Sequence, residues 1–171
     1  MSATDEMGLT PETAEGYEQY FVPAIFHQWA PILIEQADLT EGDELLDVGC
    51  GTGVLSREAI KVLGTNGSVT GIDLSVSMLG VARTKAPGVD FRQGNATALP
   101  FEDGKFDVVI SSFMLMFVPE PANAVSEMWR VLREGGRLVL GVWEGLDKNP
   151  VYTTLVRIAG DRINIEAGRS L

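Results

Sequence analysis

The chain has 171 residues, 45% of them hydrophobic, which suits one domain that buries a core. Its 24 acidic residues against 13 basic ones give a formal charge of −11, a field that repels phosphate backbones and argues against nucleic acid as a partner. A lone cysteine, Cys50, rules out an intrachain disulfide, and no apolar run approaches the roughly 20 residues that cross a bilayer, so a cytoplasmic protein with no membrane span is expected.

The opening residues, MSATDEMGLTPETAE, are acidic, lack an apolar run and read as a frayed tail rather than a targeting signal. Residues 12–37 are amphipathic and aromatic-rich, and Pro23 and Pro31 divide them into two or three helical pieces, an expected cap over residues 1–43. Short Val/Ile/Leu runs then alternate with helical periodicity, the pattern of an α/β domain with a parallel sheet. A strand over 44–48 leads through a glycine turn to a helix over 54–63, with Leu55, Ala59, Val62 and Leu63 on one face. A strand over 68–72 ends at Asp73, and Ser75 caps a helix to about Ala86 that buries Val76, Leu79 and Ala82. Residues 89–93 form a short strand, a turn-rich loop follows, and 106–111 is a buried strand. Pro121 opens a helix with Val125, Met128, Trp129 and Leu132 at helical spacing, which Gly135 and Gly136 end before a strand over 137–142. Asn149 and Pro150 resemble one more helix start.

The first strand delivers Asp47 and then Gly49, Gly51 and Gly53, directly before a helix. Glycines let a backbone approach a ligand where a Cβ would collide, and the amides opening the helix favour an anionic group. A dinucleotide fingerprint beginning at Gly49 would need its third glycine where Val54 stands, which disfavours a nicotinamide-dependent oxidoreductase. Asp73, at the end of the second strand, is placed to accept hydrogen bonds from the two hydroxyls of a ribose.

Four segments, LLDVGCGTG at 45–53, GIDLS at 71–75, GNATALPFEDGKFDVVISSFMLMFV at 94–118 and WRVLREGGRLVL at 129–140, resemble the class I S-adenosylmethionine-dependent methyltransferases in order and spacing. The small-molecule enzymes of the ubiquinone/menaquinone-biosynthesis type are most similar. The resemblance implies a Rossmann-like sheet and S-adenosylmethionine as cofactor, its methionine part held by Asp47, Gly49, Gly51 and Gly53 with Cys50 as a backbone neighbour. It assigns Asp73 to the ribose diol. Leu74 and Met78 would pack on the adenine, Met78 being equally readable as core. Asn95 stands where the family usually has aspartate for the adenine amine and still offers a carbonyl, and Ala96 would contribute its amide. Ser111 and Ser112 would line the methionine amine and the transfer region, or simply end their strand.

Methyl transfer from a sulfonium disperses charge, so an apolar, well-aligned site can suffice and no catalytic side chain is assigned. Were a base needed, His27, Tyr17 and Tyr20 are available, although His27 on an apolar helix face reads better as packing or surface. Phe113, Met114, Met116 and Phe117 either wall a pocket for a small-molecule acceptor or pack in the core. No His/Cys cluster supports a metal.

The family sheet has seven strands, whereas five are found here. The expectation is therefore five parallel strands in the order 3-2-1-4-5, a core over 44–143, and residues 144–171 beginning a helical lid in a truncated chain. Truncation exposes the fifth strand as an edge and predicts self-association as a homodimer. It also keeps open a domain that binds S-adenosylmethionine without turnover.

Overall fold

A computed structural model describes residues 7–145 together with Asp5 and Lys148. Its sheet contains β1 (Glu44–Val48), β2 (Ser68–Asp73), β3 (Asp90–Gln93), β4 (Phe106–Ser112) and β5 (Leu132–Gly141). All pairings are parallel and the order is β3-β2-β1-β4-β5, as expected. Ahead of the sheet lie α1 (Pro11–Gly16), a π-helical segment (Tyr17–Phe26) and α2 (Trp29–Gln36). The connections carry α3 (Val54–Leu63), α4 (Val76–Lys85), a short 3-10 turn (Leu115–Phe117) and α5 (Pro121–Val131).

Both faces of the sheet are covered, which is why Leu45, Leu46 and Val48 of β1 are all buried instead of alternating with exposed positions. Leu45 packs in a cluster with Ala30 and Leu33 of α2 and Leu55 and Ala59 of α3. Leu46 and Val48 join Ala124, Met128 and Val131 of α5 on the opposite face. Three side chains depart from their expected burial. Val62, Val76 and Trp129 are exposed, because α3 turns Leu55, Ala59 and Leu63 inward, α4 turns Ser77, Leu79 and Ala82 inward and α5 turns Ala124, Met128 and Val131 inward, leaving these positions outside the stripe.

The expectation for β5 is corrected as well. Pairing is regular from Val108↔Arg137 to Ser112↔Gly141, but β5 already starts at Leu132, opposite Phe106, with a register shift between the two. Leu132 is drawn into the cluster that holds Phe106, so α5 ends before it, and residues 133–136 bulge through Gly135 at φ 75°.

The opening is no frayed tail where the structure describes it. Thr10 caps α1 by accepting from the Thr13 N–H, Ala14 is fully buried, and Asp5 accepts from the Ser75 hydroxyl and the Ser77 N–H at the start of α4. Pro23 sits inside the π-helical segment, where the His27 N–H reaches back to the Val22 carbonyl at 2.8 Å. A wider turn suits a proline ring that would collide with the preceding α-helical carbonyl. The helix start at Asn149 and the lid after it lie outside the described residues.

Candidate functional site

The glycine turn hangs from β2. Gly49 and Cys50 both donate to the Ile72 carbonyl, at 2.8 and 3.0 Å, and Gly53 donates to the Cys50 carbonyl at 2.8 Å. Gly49, Gly51 and Gly53 take φ of 73°, 54° and 80°, a region costly to other residues. Their surroundings differ. A Cβ at Gly49 would lie 2.5 Å from Met114 Cβ and closer still to its Cγ, and one at Gly53 would lie 2.8 Å from Phe91 Cζ. At Gly51 nothing lies within 4 Å, so this is the point where the backbone faces open space.

Asp73, half-buried at the end of β2, accepts from the Gly51 N–H at 2.8 Å through one oxygen and from the Ser75 N–H at 2.9 Å through the other. Burial pushes its carboxyl above the usual range against these bonds, and Asp5 adds to the rise. The remaining lone pairs of this doubly held carboxylate suit a diol. Asp47 is buried on β1, with one oxygen accepting from Ser56 Oγ at 2.6 Å and the other, Oδ1, without a partner. Burial pushes its carboxyl up to about 7, eased by Ser56 and reinforced by Asp73. Cys50, buried and close to both carboxyls, is held far above the ordinary thiol range by burial first and their charge second, which makes it an inert thiol.

The N-terminal cap is tied to the turn. Arg57 donates to the Thr52 carbonyl at 2.7 Å and to Glu18 of the π-helical segment at 2.9 Å. Tyr17 stacks on Phe26 at 5.3 Å between ring centroids. Burial and the charges of Asp73 and Glu18 raise its phenol well above the ordinary value, so the hydroxyl keeps its proton. Tyr20 and His27 are exposed.

Leu74 and Met78 flank Ser75 and are half-buried; the Leu74 carbonyl accepts from Gln93 Nε2 at 3.2 Å, and the Met78 N–H is bound to Ser75 Oγ. The Asn95 side-chain oxygen accepts from the N–H and hydroxyl of Thr97, both at 2.9 Å, so the carbonyl expected to meet adenine is spent inside its own turn. Ala96 packs against the α5-side core. Ser111 is buried with its hydroxyl unpartnered, and Ser112 is half-buried opposite Gly141. Thr52 Oγ1, like Asp47 Oδ1 and Ser111 Oγ, is buried without a partner. Such atoms are uncommon, and three of them in the turn and the strands beside it fit a polar ligand.

Phe113 follows β4 at φ 55°, an unusual conformation for an aromatic residue. Its ring stacks on Trp143 at 4.3 Å and meets Trp29 and Phe26 at 5.5 and 5.8 Å. Met114 fills the space under Gly49, while Met116 and Phe117 are exposed. The hollow lined by Glu44, Ser68, Thr70 and Asp90 lies at the opposite, N-terminal edge of the sheet, where α/β folds do not place their ligands.

Asp5, Glu18 and Arg57 are the residues that sequence reasoning missed. Their partners lie 70, 39 and 39 positions away, and no local pattern announces such pairs. For Asn95 a signal existed, since an asparagine two residues before a threonine is a ready turn former.

Residues 46–140 match the family described as a methyltransferase domain. The chain is 41% identical over 113 residues to "Demethylmenaquinone methyltransferase" of Renibacterium salmoninarum, covering 66% of this chain and 46% of that protein. It is 38% identical over 122 residues to "Ubiquinone/menaquinone biosynthesis C-methyltransferase UbiE" of Stutzerimonas stutzeri, covering 68% and 48%. It thus spans about half the length of these curated relatives. A SAM-dependent methyltransferase from Aquifex aeolicus shares the fold with a TM-score of 0.70 at 23% identity, covering 90% of this chain and 87% of that one. The [4+2]-cyclase SpnF matches with a TM-score of 0.61 at 32% identity, covering 66% and 43%. The family match spans more than half of the sequence and falls on the strands and turn that build the site, so the chain belongs to the methyltransferase-domain family.

Proposed function

We propose that this chain binds S-adenosylmethionine across the Gly49–Gly53 turn and directs its methyl group onto a small-molecule acceptor, with quinone-like rings as the favoured class. The observation that carries the reading is Gly51, which presents bare backbone to open space while its N–H fixes the neighbouring Asp73. Asp73 takes the ribose hydroxyls. Leu74, Met78 and Ala96 border the adenine, and Asn95 shapes that loop through Thr97. Asp47, Thr52, Ser111 and Ser112 face the methionine end, with Cys50 supplying backbone.

The cofactor brings a methyl group activated by a sulfonium. The protein's part is placement: Phe26, Trp29 and Trp143 pack around the buried Phe113, an aromatic cluster whose half-buried outer rings can border a flat acceptor, and exclusion of water favours a reaction that disperses charge. Tyr17, kept protonated, donates a hydrogen bond. We assign no base and no metal. The relatives named for demethylmenaquinone and for ubiquinone/menaquinone biosynthesis support the acceptor class.

We further propose that the protein is cytoplasmic and pairs with a second copy through the outer edge of β5. Leu140 and Val142 are exposed there and Trp129 on the adjoining α5 is 66% exposed. No described helix is long and apolar enough to cross a membrane. The likeness to a cyclase favours a second reading, binding of the cofactor without methyl transfer.

Calorimetric titration with S-adenosylmethionine tests the site. Asp73→Ala is expected to weaken binding by about tenfold or more, the equivalent of about 1.4 kcal/mol, and equal affinity in both proteins removes the ribose assignment. Turnover with labelled cofactor and a reduced quinone separates the two readings.

A further inference from the structure

Phe113 leaves the carboxyl end of β4, donates its N–H to the Gly141 carbonyl at 2.8 Å and precedes Met114, whose side chain packs against Gly49. The sheet order reverses between β1 and β4, and ligands of open α/β sheets bind beyond the carboxyl ends of such strands. The left-handed backbone of Phe113, at φ 55°, is of the kind that persists mainly where a site holds it in place. Trp143 lies flat on its ring, with centroids 4.3 Å and planes 20° apart, while Trp29 stands edge-on to both, at 74° to Phe113 and 90° to Trp143. These rings make a floor, an indole lying on it and a perpendicular wall. The Nε1–H of Trp29 is buried without an acceptor. Neither Phe113 nor Trp143 offers an oxygen, and buried donors left in this way are uncommon. Trp143 is also loosely tied, since β5 and its pairing end at Gly141 and no hydrogen bond among the described residues reaches it.

We propose that the face of Phe113 is the seat of the acceptor's ring, that the Trp143 indole fills this seat until the acceptor arrives, and that the Trp29 N–H recognises an oxygen carried by that ring. The occupant is then a flat aromatic ring bearing a hydroxyl or carbonyl oxygen. This rests on the small-molecule acceptor reading above. The indole of Trp143 copies the shape of such a ring and not its chemistry: it is planar and stacks on Phe113, but it brings no acceptor atom to Trp29. An incoming ring keeps the stack on Phe113 and the edge contact with Trp29, supplies the missing hydrogen bond and moves Trp143 aside. Exchanging one stack for another is nearly even, so the new hydrogen bond decides the outcome and a bare hydrocarbon ring gains little by entering. Preference for oxygenated rings thus comes from a competitor built into the chain.

The test labels the intact chain with fluorotryptophan, saturates it with S-adenosylhomocysteine so that no methyl group moves, and titrates it with 1-naphthol and with naphthalene. The fluorine resonances of the three tryptophans are assigned by single substitutions to Phe. Expected is a Trp143 resonance that 1-naphthol shifts toward free fluorotryptophan, while that of the exposed Trp129 stays in place. Trp143→Ala should bind 1-naphthol about three- to tenfold more tightly, because no indole has to be displaced. Trp29→Phe keeps a ring without the N–H and should weaken 1-naphthol about three- to tenfold while leaving naphthalene unchanged. Binding of 1-naphthol with an unmoved Trp143 resonance, weaker binding in Trp143→Ala, or a preference for 1-naphthol that survives Trp29→Phe overturns the proposal. Should Trp143→Ala not fold, the wild-type resonance and Trp29→Phe decide. Binding of S-adenosylhomocysteine with no 1-naphthol site also overturns the proposal and leaves the cofactor reading standing, whereas absence of S-adenosylhomocysteine binding refutes that reading and the proposal with it.

Discussion

Gly49→Ala and Gly51→Ala add the same methyl group to the same turn, yet they should fail in different ways. At Gly51 the added Cβ meets nothing within 4 Å. The cost to folding is therefore the left-handed backbone at φ 54° alone, about 1 kcal/mol, or roughly 2–4 °C in Tm for a domain of this size. At Gly49 the same kind of strain is joined by collision with Met114 Cβ and Cγ, atoms too close to their own backbone to swing away. Overpacking of that kind adds about 1–3 kcal/mol, for a total of about 2–4 kcal/mol. Binding should divide the other way. Gly51→Ala fills the space left for the ligand and should lose about tenfold or more in S-adenosylmethionine affinity while remaining folded. Urea denaturation supplies the stabilities and calorimetric titration the affinities. Equal destabilisation by the two variants, or wild-type affinity in Gly51→Ala, would refute the assignment of that space.

In the cofactor-free protein the unfolded chain ionises Asp47 near 3.8 and the folded one near 7, so stability from this group is full below pH 4, declines up to pH 7 and is level above. The whole change is about 4 kcal/mol at 1.36 kcal/mol per pH unit, and the stability gap between Asp47→Asn and wild type should open across that window; a constant gap refutes it. Arg130 donates to the Leu99 and Phe101 carbonyls and pairs with Glu127 and Asp103, fastening the loop after β3 onto α5. Arg130→Ala should cost about 2 kcal/mol in urea denaturation, and a loss below about 0.5 kcal/mol would show the loop held by other means. Sedimentation should find a dimer that Val142→Lys weakens; a monomer at every concentration removes the β5 interface.

The central strand, α3 and the turn between them were legible because their signals are local. Leu45, Leu46 and Val48 stand in a mostly apolar run broken by Asp47, and three alternate glycines precede a helical stripe. Asp73 was legible for the same reason, as the polar residue that ends a buried strand. The interior of α5 was read correctly at Met128 but not at Trp129, since one residue is about 100° of helix and composition alone does not say where the stripe stops. The bulge between Leu132 and Arg137 depends on how Leu132 fits against Phe106, a contact across the sheet that no period encodes. The site's electrostatics were least legible. That Tyr17 feels the charge of Asp73, and that no cation among the described residues pairs with Asp47, are facts of three-dimensional placement.

The contact of Asp5 with the Ser75 hydroxyl and the Ser77 N–H has a practical consequence. The chain's first described residue is fastened beside Asp73, with its carboxyl held down at about 2 by the hydrogen bonds of Ser75, Leu9, Ser77 and Met7 against the cost of burial. A purification handle joined ahead of Asp5 would start close to the carboxylate proposed to hold the ribose and beside the first turn of α4, so affinities are best measured with the handle removed.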